Sequence, residues 1–172
     1  MSATIRIAFP QDADDIASVH VRSWQVAYRD LLPEGARDGF PLERRQAMWR
    51  RILADTAPDQ MVWVTEDGDR IIGFANAGGS RDDGAPAGTG EVYSIYVDPD
   101  DAGAGTGLRL MEHVTRYLRT RFQRATLWTF RDNARAREFY EQAGWTFDGS
   151  EQAIAIGDFQ AIEVRYAIAF AT

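Results

Sequence analysis

The stretch Glu91-Val-Tyr-Ser-Ile-Tyr-Val-Asp-Pro-Asp-Asp-Ala-Gly-Ala-Gly-Thr-Gly-Leu-Arg-Leu-Met111 decides how the rest of the chain is read. Its first part is β-branched and aromatic, the composition of a buried strand. Pro99 and the acidic residues beside it end that strand. Gly103, Gly105 and Gly107 then alternate with small residues, and from Leu108 onward the apolar spacing becomes helical. A strand, a glycine turn and a helix start in that order gather backbone N–H groups at the positive end of a helix dipole. Such a place suits a phosphate or pyrophosphate.

Neighbouring residues separate the kinds of anion loop. A Walker loop needs Lys-Ser/Thr after its last glycine; here Leu108 follows Gly107, and the chain has no lysine at all. A dinucleotide fingerprint needs a glycine where Leu108 stands. It also needs an acidic residue about 20 positions on, where this chain has Ala125-Thr126-Leu127. What remains is a loop for the pyrophosphate of coenzyme A, or simply a turn.

The composition narrows the classes further. A chain of 172 residues, 45% apolar and 26% charged, has the size and balance of one globular domain with a sizeable core. The apolar run after Met1 is short and ends at Pro10, so no signal peptide is expected. No segment approaches the ~18 apolar residues of a membrane span. The expected location is the cytoplasm, without a membrane partner. Zero cysteines exclude disulfides, thiolate metal sites and a cysteine nucleophile, and two distant histidines make a metal site an unpromising reading. A net charge of −7 argues against nucleic acid and leans toward cationic partners.

Thr4 to Phe9 alternates as a first strand. A helix follows from about Asp12, with Ile16, Val19, Trp24, Ala27 and Leu31 inward. Trp24 and Tyr28 share a face, as core aromatics or as the lining of a substrate cleft; His20 beside them reads as a structural histidine. Residues 31–41 are rich in breakers and read as a loop. Leu42 to Leu53 reads as a second helix. Met61–Thr65 and Arg70–Asn76 form a hairpin around an Asp-Gly turn. Gly78 to Gly90 is expected to be a mobile loop. After the central strand comes a helix to about Arg121, with Leu108, Met111, Val114 or Thr115, and Leu118 buried. A strand follows at Ala125–Phe130, then a helix from Asn133 to Ala143 closed by Gly144. Two strands end the chain, about Glu151–Ile156 and Ala161–Phe170. The order β-α-α-β-β-β-α-β-α-β-β is a single mixed α/β domain over residues 1–172.

Two segments carry a resemblance. Val97-Asp-Pro-Asp-Asp-Ala-Gly-Ala-Gly-Thr-Gly-Leu-Arg-Leu-Met111 resembles the acetyl-CoA loop of the GCN5-related N-acetyltransferases. Asn133-x-x-Ala136-x-x-Phe139-Tyr140-Glu141-x-x-Gly144-Trp145 is similar to the same family's second motif, in the right order and spacing. The resemblance implies a mostly antiparallel sheet flanked by helices, with acetyl-CoA as cosubstrate and no metal. It implies that Ile95, Tyr96 and Val97 pair through their backbone with the pantetheine. The amides of Gly103, Ala104, Gly105, Thr106, Gly107 and Leu108 would hold the pyrophosphate. Asn133 and Ala136 would lie along the cofactor, and Tyr140 close to the thioester sulfur. The family's usual Arg or Gln is Ala102 here, and Asp98, Asp100 and Asp101 add negative charge nearby; Arg109 is the candidate to compensate.

Aminolysis of a thioester needs a neutral amine, although alkyl ammonium pKa values lie at ~10.4. It also needs a polarised carbonyl and a protonated leaving thiolate. Tyr140 suits the last role. Glu91 is the candidate base, since strict alternation puts Glu91, Tyr93, Ile95 and Val97 on one face. Trp24, Tyr28 and Tyr93 are the acceptor-side candidates. Without cysteine, direct transfer in a ternary complex is expected. The expected acceptor is a small-molecule amine or a peptide N-terminus, and homodimers are frequent in such families. The alternative is a non-catalytic acyl-CoA-binding or sensor module of the same fold.

Overall fold

In the computed structural model, which describes residues 3–171, strand β1 (Thr4–Ile7) leads through a turn at Pro10–Asp12 into helix α1 (Ala13–Ala27). The breaker-rich segment that follows is not all loop. It contains one short helix, α2 (Glu34–Asp38), whose first turn begins on the carbonyl of Pro33. Proline's fixed φ suits a helix start as well as it stops a helix interior. Next come α3 (Leu42–Ala54), β2 (Met61–Asp67), β3 (Arg70–Gly79), β4 (Thr89–Val97) and α4 (Thr106–Arg121). The chain ends with β5 (Arg124–Phe130), α5 (Ala134–Gln142), β6 (Thr146–Ile156) and β7 (Phe159–Ala169).

The seven strands make one sheet in the order β1-β2-β3-β4-β5-β7-β6. Every neighbouring pair is antiparallel except β4–β5. Helix α4 covers one face. Leu110, Met111, Val114 and Leu118 are fully buried there against Ala75, Ala77, Leu127 and Val164. The ridge through Leu118 and Val114, stepping back four residues, reaches Leu110 rather than Leu108, which is only half-buried in the first turn. Helices α1 and α3 cover the other face, with Ile16, Ala17 and Trp49 packed on Val62, Val64, Ile71 and Phe74. The Trp49 indole N–H donates to His20 Nδ1 (3.1 Å) and ties the two helices together. Among the described residues no helix is long and apolar enough to cross a membrane.

Two irregularities in β4 set up everything that follows. The register against β3 runs from Val97–Gly73 to Ser94–Asn76, then resumes at Val92–Ala77, so Tyr93 is an extra residue in a bulge. On its other side β4 pairs with β5 only from Thr89–Arg124 to Val92–Leu127. Beyond that point β5 continues alongside β7, and the two central strands part as a fork.

Candidate active site

The fork exposes main chain. Asp98 N–H donates to the Ile72 carbonyl (2.8 Å), which fixes the phase of the antiparallel ladder. Alternation then turns the N–H and C=O of Tyr96 and Ser94 toward β3, and those of Ile95 and Val97 toward the open side. Of the three residues expected to present backbone to a ligand, Ile95 and Val97 have that orientation and Tyr96 does not. The Val97 carbonyl also accepts from Ser23 Oγ (2.8 Å), which pins α1 to the end of β4.

At one mouth of the fork lies the glycine loop. Gly103 (φ +89°) and Gly105 (φ +78°) take left-handed conformations that a side chain disfavours, and Gly105 caps α4. The first α4-type bond of the loop is Arg109 N–H to the Gly105 carbonyl. The amides of Thr106, Gly107 and Leu108 thus have no acceptor within the helix, as at any helix start. Gly107 faces both neighbours, since a Cβ there would lie in ordinary contact, 3.4 Å from the Phe139 ring and 3.5 Å from Val97. That contact sets the start of α4 against both α5 and the tip of β4.

The acidic residues beside the loop are not free. Arg22 of α1 pairs with Asp98 (2.9 Å) and Asp100 (2.6 Å), and Arg70 of β3 pairs with Asp101 (2.9 Å). The negative field they present to the loop is correspondingly reduced. Arg109 donates to the Ala3 carbonyl (2.8 Å) and so holds the N-terminal segment.

Asn133 is the N-cap of α5, its Oδ1 accepting from the Ala136 amide (3.1 Å). From α5, Tyr140 packs with Phe139 (5.3 Å between ring centroids) and Tyr166 (6.0 Å). Burial, with Tyr28 nearby, holds its phenol protonated far above the usual tyrosine range. A phenol kept neutral is a proton donor.

The opposite face of the fork carries the residues expected on the acceptor side. The Tyr28 hydroxyl lies 3.4 Å from that of Tyr96, and its ring is 4.8 Å from Phe130. Burial raises both phenols. Trp24 is buried and stacks flat on Phe40 (4.4 Å, 3°), so its ring belongs to the packing beneath this face. Tyr93 donates to the Gly79 carbonyl (2.6 Å) under the Arg81 guanidinium, and burial and then Glu91 push it up to about 12.

Glu91 departs from its expected setting. The Tyr93 bulge shifts the alternation, so Glu91 lies in phase with Ser94 and Tyr96 rather than with Ile95 and Val97. Its carboxylate is buried and taken up by Arg81, through the backbone N–H (2.7 Å) and both Nε (3.2 Å) and Nη2 (2.6 Å). The loop expected to be mobile is thereby anchored: Arg81 holds Glu91, while Asp82 accepts from Trp128 (2.8 Å) and pairs with Arg165 (3.0 Å).

Where the strands part, Val92, Tyr93 and Trp128 open onto a polar cavity of about 600 Å³. Its wall includes a residue that periodicity did not single out, Glu163 on β7. Glu163 is paired in register with Phe130, and its Oε2 accepts from Gln152 (2.9 Å). Among the described residues no group of histidines and carboxylates is placed to hold a metal ion.

A forked parallel pair, a glycine loop at its mouth and a half-buried tyrosine across from it define a class of acyl-CoA-handling folds, and comparison agrees. The model of the Acetyltransferase (GNAT) family matches residues 21–145, and the chain belongs to that family. The chain is 29% identical over 117 residues to the uncharacterized N-acetyltransferase YuaI of Bacillus subtilis, covering 67% of this chain and 64% of that one. A mycothiol acetyltransferase of Beutenbergia cavernae is 43% identical over 61 residues, 35% of this chain and 20% of the relative. The matched region thus spans less than two thirds of either relative's length. The fold is shared with the PaiA N-acetyltransferase of Thermoplasma acidophilum, solved with coenzyme A (TM-score 0.73, 17% identity, 99% of this chain, 100% of that one). It is also shared with YncA of Salmonella typhimurium, solved with acetyl-CoA (TM-score 0.74, 18% identity, 100% and 96%).

Proposed function

We propose that this chain transfers an acetyl group from acetyl-CoA to a primary amine, by direct attack within a ternary complex. The observation that carries the reading is the fork: β4 leaves β5 after Val92, and the outward N–H and C=O of Ile95 and the N–H of Val97 then have no strand to pair with, while the Val97 C=O is held by Ser23. An extended pantetheine, with its two amides, complements that edge as an added strand would. The amides from Gly103 to Leu108 suit the pyrophosphate at the start of α4. The coenzyme and acetyl-CoA bound by two structural neighbours support the same ligand.

In this reading a main-chain N–H of the fork polarises the thioester carbonyl. Tyr140, held neutral by burial, gives its proton to the departing sulfur. The acceptor enters from the Tyr28 side. Asn133 contributes by capping α5 and so aiming Tyr140, and its amide N–H₂ remains able to donate to the coenzyme.

Calorimetric titration of the chain with acetyl-CoA, ATP and NAD tests the site: acetyl-CoA alone should bind. Tyr140→Phe tests the chemistry. We expect kcat to fall by about 10²-fold with acetyl-CoA affinity unchanged, the behaviour of a lost proton donor. A variant with full activity would remove Tyr140 from the mechanism. The rival reading, a sensor that binds acyl-CoA without turning it over, draws on Ala102; it predicts tight binding with no thiol release for any amine.

A further inference from the structure

The reaction proposed above leaves one step without a residue, removal of the proton from the acceptor's ammonium. Glu91 is engaged three times over by Arg81. Resting on that reading of the site, we propose that Glu163 binds the acceptor's ammonium group and takes its proton, and that the acceptor is a cationic primary amine with no carboxylate beside the nitrogen.

Geometry selects Glu163. In β7 the side chains of Val164 and Tyr166 face α4, so Glu163 and Arg165 face the acceptor side, as Trp128 and Phe130 of β5 do. Glu163 lines the cavity that begins where β4 and β5 separate. Its Oε2 has a neutral partner, Gln152, rather than an arginine. It is half-buried, and burial first, then the neighbouring Glu91 charge, raises its pKa against the opposing Gln152 bond. Its charge also reaches the phenols of Tyr28 and Tyr96, and Tyr140 in turn feels Tyr28. Phe130, its register partner, packs on Tyr28, whose hydroxyl lies 3.4 Å from that of Tyr96, so Glu163 stands beside the strand position that holds these phenols.

The cavity's charges select the acceptor class. Four carboxylates line it (Asp82, Asp83, Glu91 and Glu163) against two guanidinia, Arg81 and Arg165. Both arginines are already paired, Arg81 with Glu91 and Arg165 with Asp82 and Asp148. A carboxylate next to the reacting amine would enter a negative pocket with no unpaired cation to receive it, at a cost in desolvation and repulsion.

The step balances as follows. The ammonium passes one proton to the Glu163 carboxylate, and the neutral amine forms a C–N bond to the thioester carbon. The C–S bond breaks and the sulfur takes the Tyr140 proton. The nitrogen's second proton is released and Tyr140 is reprotonated, while Glu163 returns its proton to solvent.

The test compares wild type with Glu163→Gln and Glu163→Asp, following thiol release from acetyl-CoA. The acceptors are tyramine, tryptamine, phenylalanine amide and phenylalanine. We expect wild type to use the amines and the amide and to reject the free amino acid. Glu163→Gln should lose at least about 10²-fold in kcat/KM for the accepted amines. Its acidic limb should vanish, leaving a rate that climbs with pH as free amine forms. Glu163→Asp should retain part of the activity with a shifted limb, and acetyl-CoA affinity and Tm should be unchanged in both. An unchanged pH profile in Glu163→Gln, a preference for the free amino acid, or no accepted amine despite tight acetyl-CoA binding would each overturn the proposal. A wild type that does not bind acetyl-CoA would instead overturn the reading of the site on which it rests.

Discussion

His20 shows how burial decides what a titratable residue does. Its ring is surrounded by Phe40, Trp49, Phe74 and Tyr96, and Nδ1 accepts from the Trp49 indole. Burial, with Arg45 a lesser influence, lowers its pKa to about 3. The neutral ring is part of the α1–α3 contact. The sign of the pH effect follows. Above the unfolded value of 6.5, neither state holds the extra proton and the contact counts in full. As pH falls from there toward about 3, the unfolded chain takes up a proton that the folded one refuses, so stability drops. The slope is at most about 1.4 kcal/mol per pH unit from this residue. His20→Asn keeps an acceptor near the Nδ1 position and removes the titration. Its stability deficit, measured by urea unfolding from neutral to mildly acid pH, should therefore shrink as pH falls. A deficit constant with pH would mean that His20 takes up its proton as readily in the fold as in the unfolded chain.

At the level of elements, the glycine loop and α4 work as one unit. Gly105 must hold φ +78° to direct the chain into the first turn. A Cβ there costs about 1–2 kcal/mol or forces the turn to rotate its amides. Gly105→Ala should thus lower Tm and weaken acetyl-CoA binding together, by about tenfold for a 1.4 kcal/mol loss, with kcat at saturation nearly intact. Weak binding with kcat lost instead would place the defect at the chemistry. This loop, the hairpin of β2 and β3 and the Gly144 stop of α5 were legible because each rests on local chain chemistry: a positive φ, a tight turn, a period. The bulge at Tyr93 was not. A bulge is a relation between two strands, and Val-Tyr-Ser-Ile reads equally well with or without it, yet it alone moves Glu91 out of phase with Ile95. Glu163 escaped notice for the same reason. One glutamate in an alternating strand looks like an exposed residue until β5 and the β6 hairpin are folded beside it. Helix α2 was masked by Pro33 and Gly35, which serve at the start of a helix as readily as in a loop.

Charge is where the whole molecule acts. The chain carries −7 overall, while its acidic residues near the glycine loop are largely neutralised by Arg22 and Arg70. Carboxylates outnumber guanidinia in the cavity on the acceptor side. In the proposed function the long-range field would draw a cationic acceptor, while the loop's amides would receive the anionic cosubstrate at short range. Such steering fades once the Debye length, about 8 Å at physiological salt, becomes shorter than the approach path. With acetyl-CoA saturating, kcat/KM for a cationic amine should fall several-fold as salt is raised from ~0.01 to ~1 M, whereas kcat should change little. Encounter is screened by salt; the enclosed chemical step is screened far less. Replacing Asp83, an exposed rim carboxylate, with Asn should flatten that salt dependence without changing the low-salt kcat. If kcat/KM were insensitive to salt, or rose with it, the acidic surface would have no part in acceptor capture.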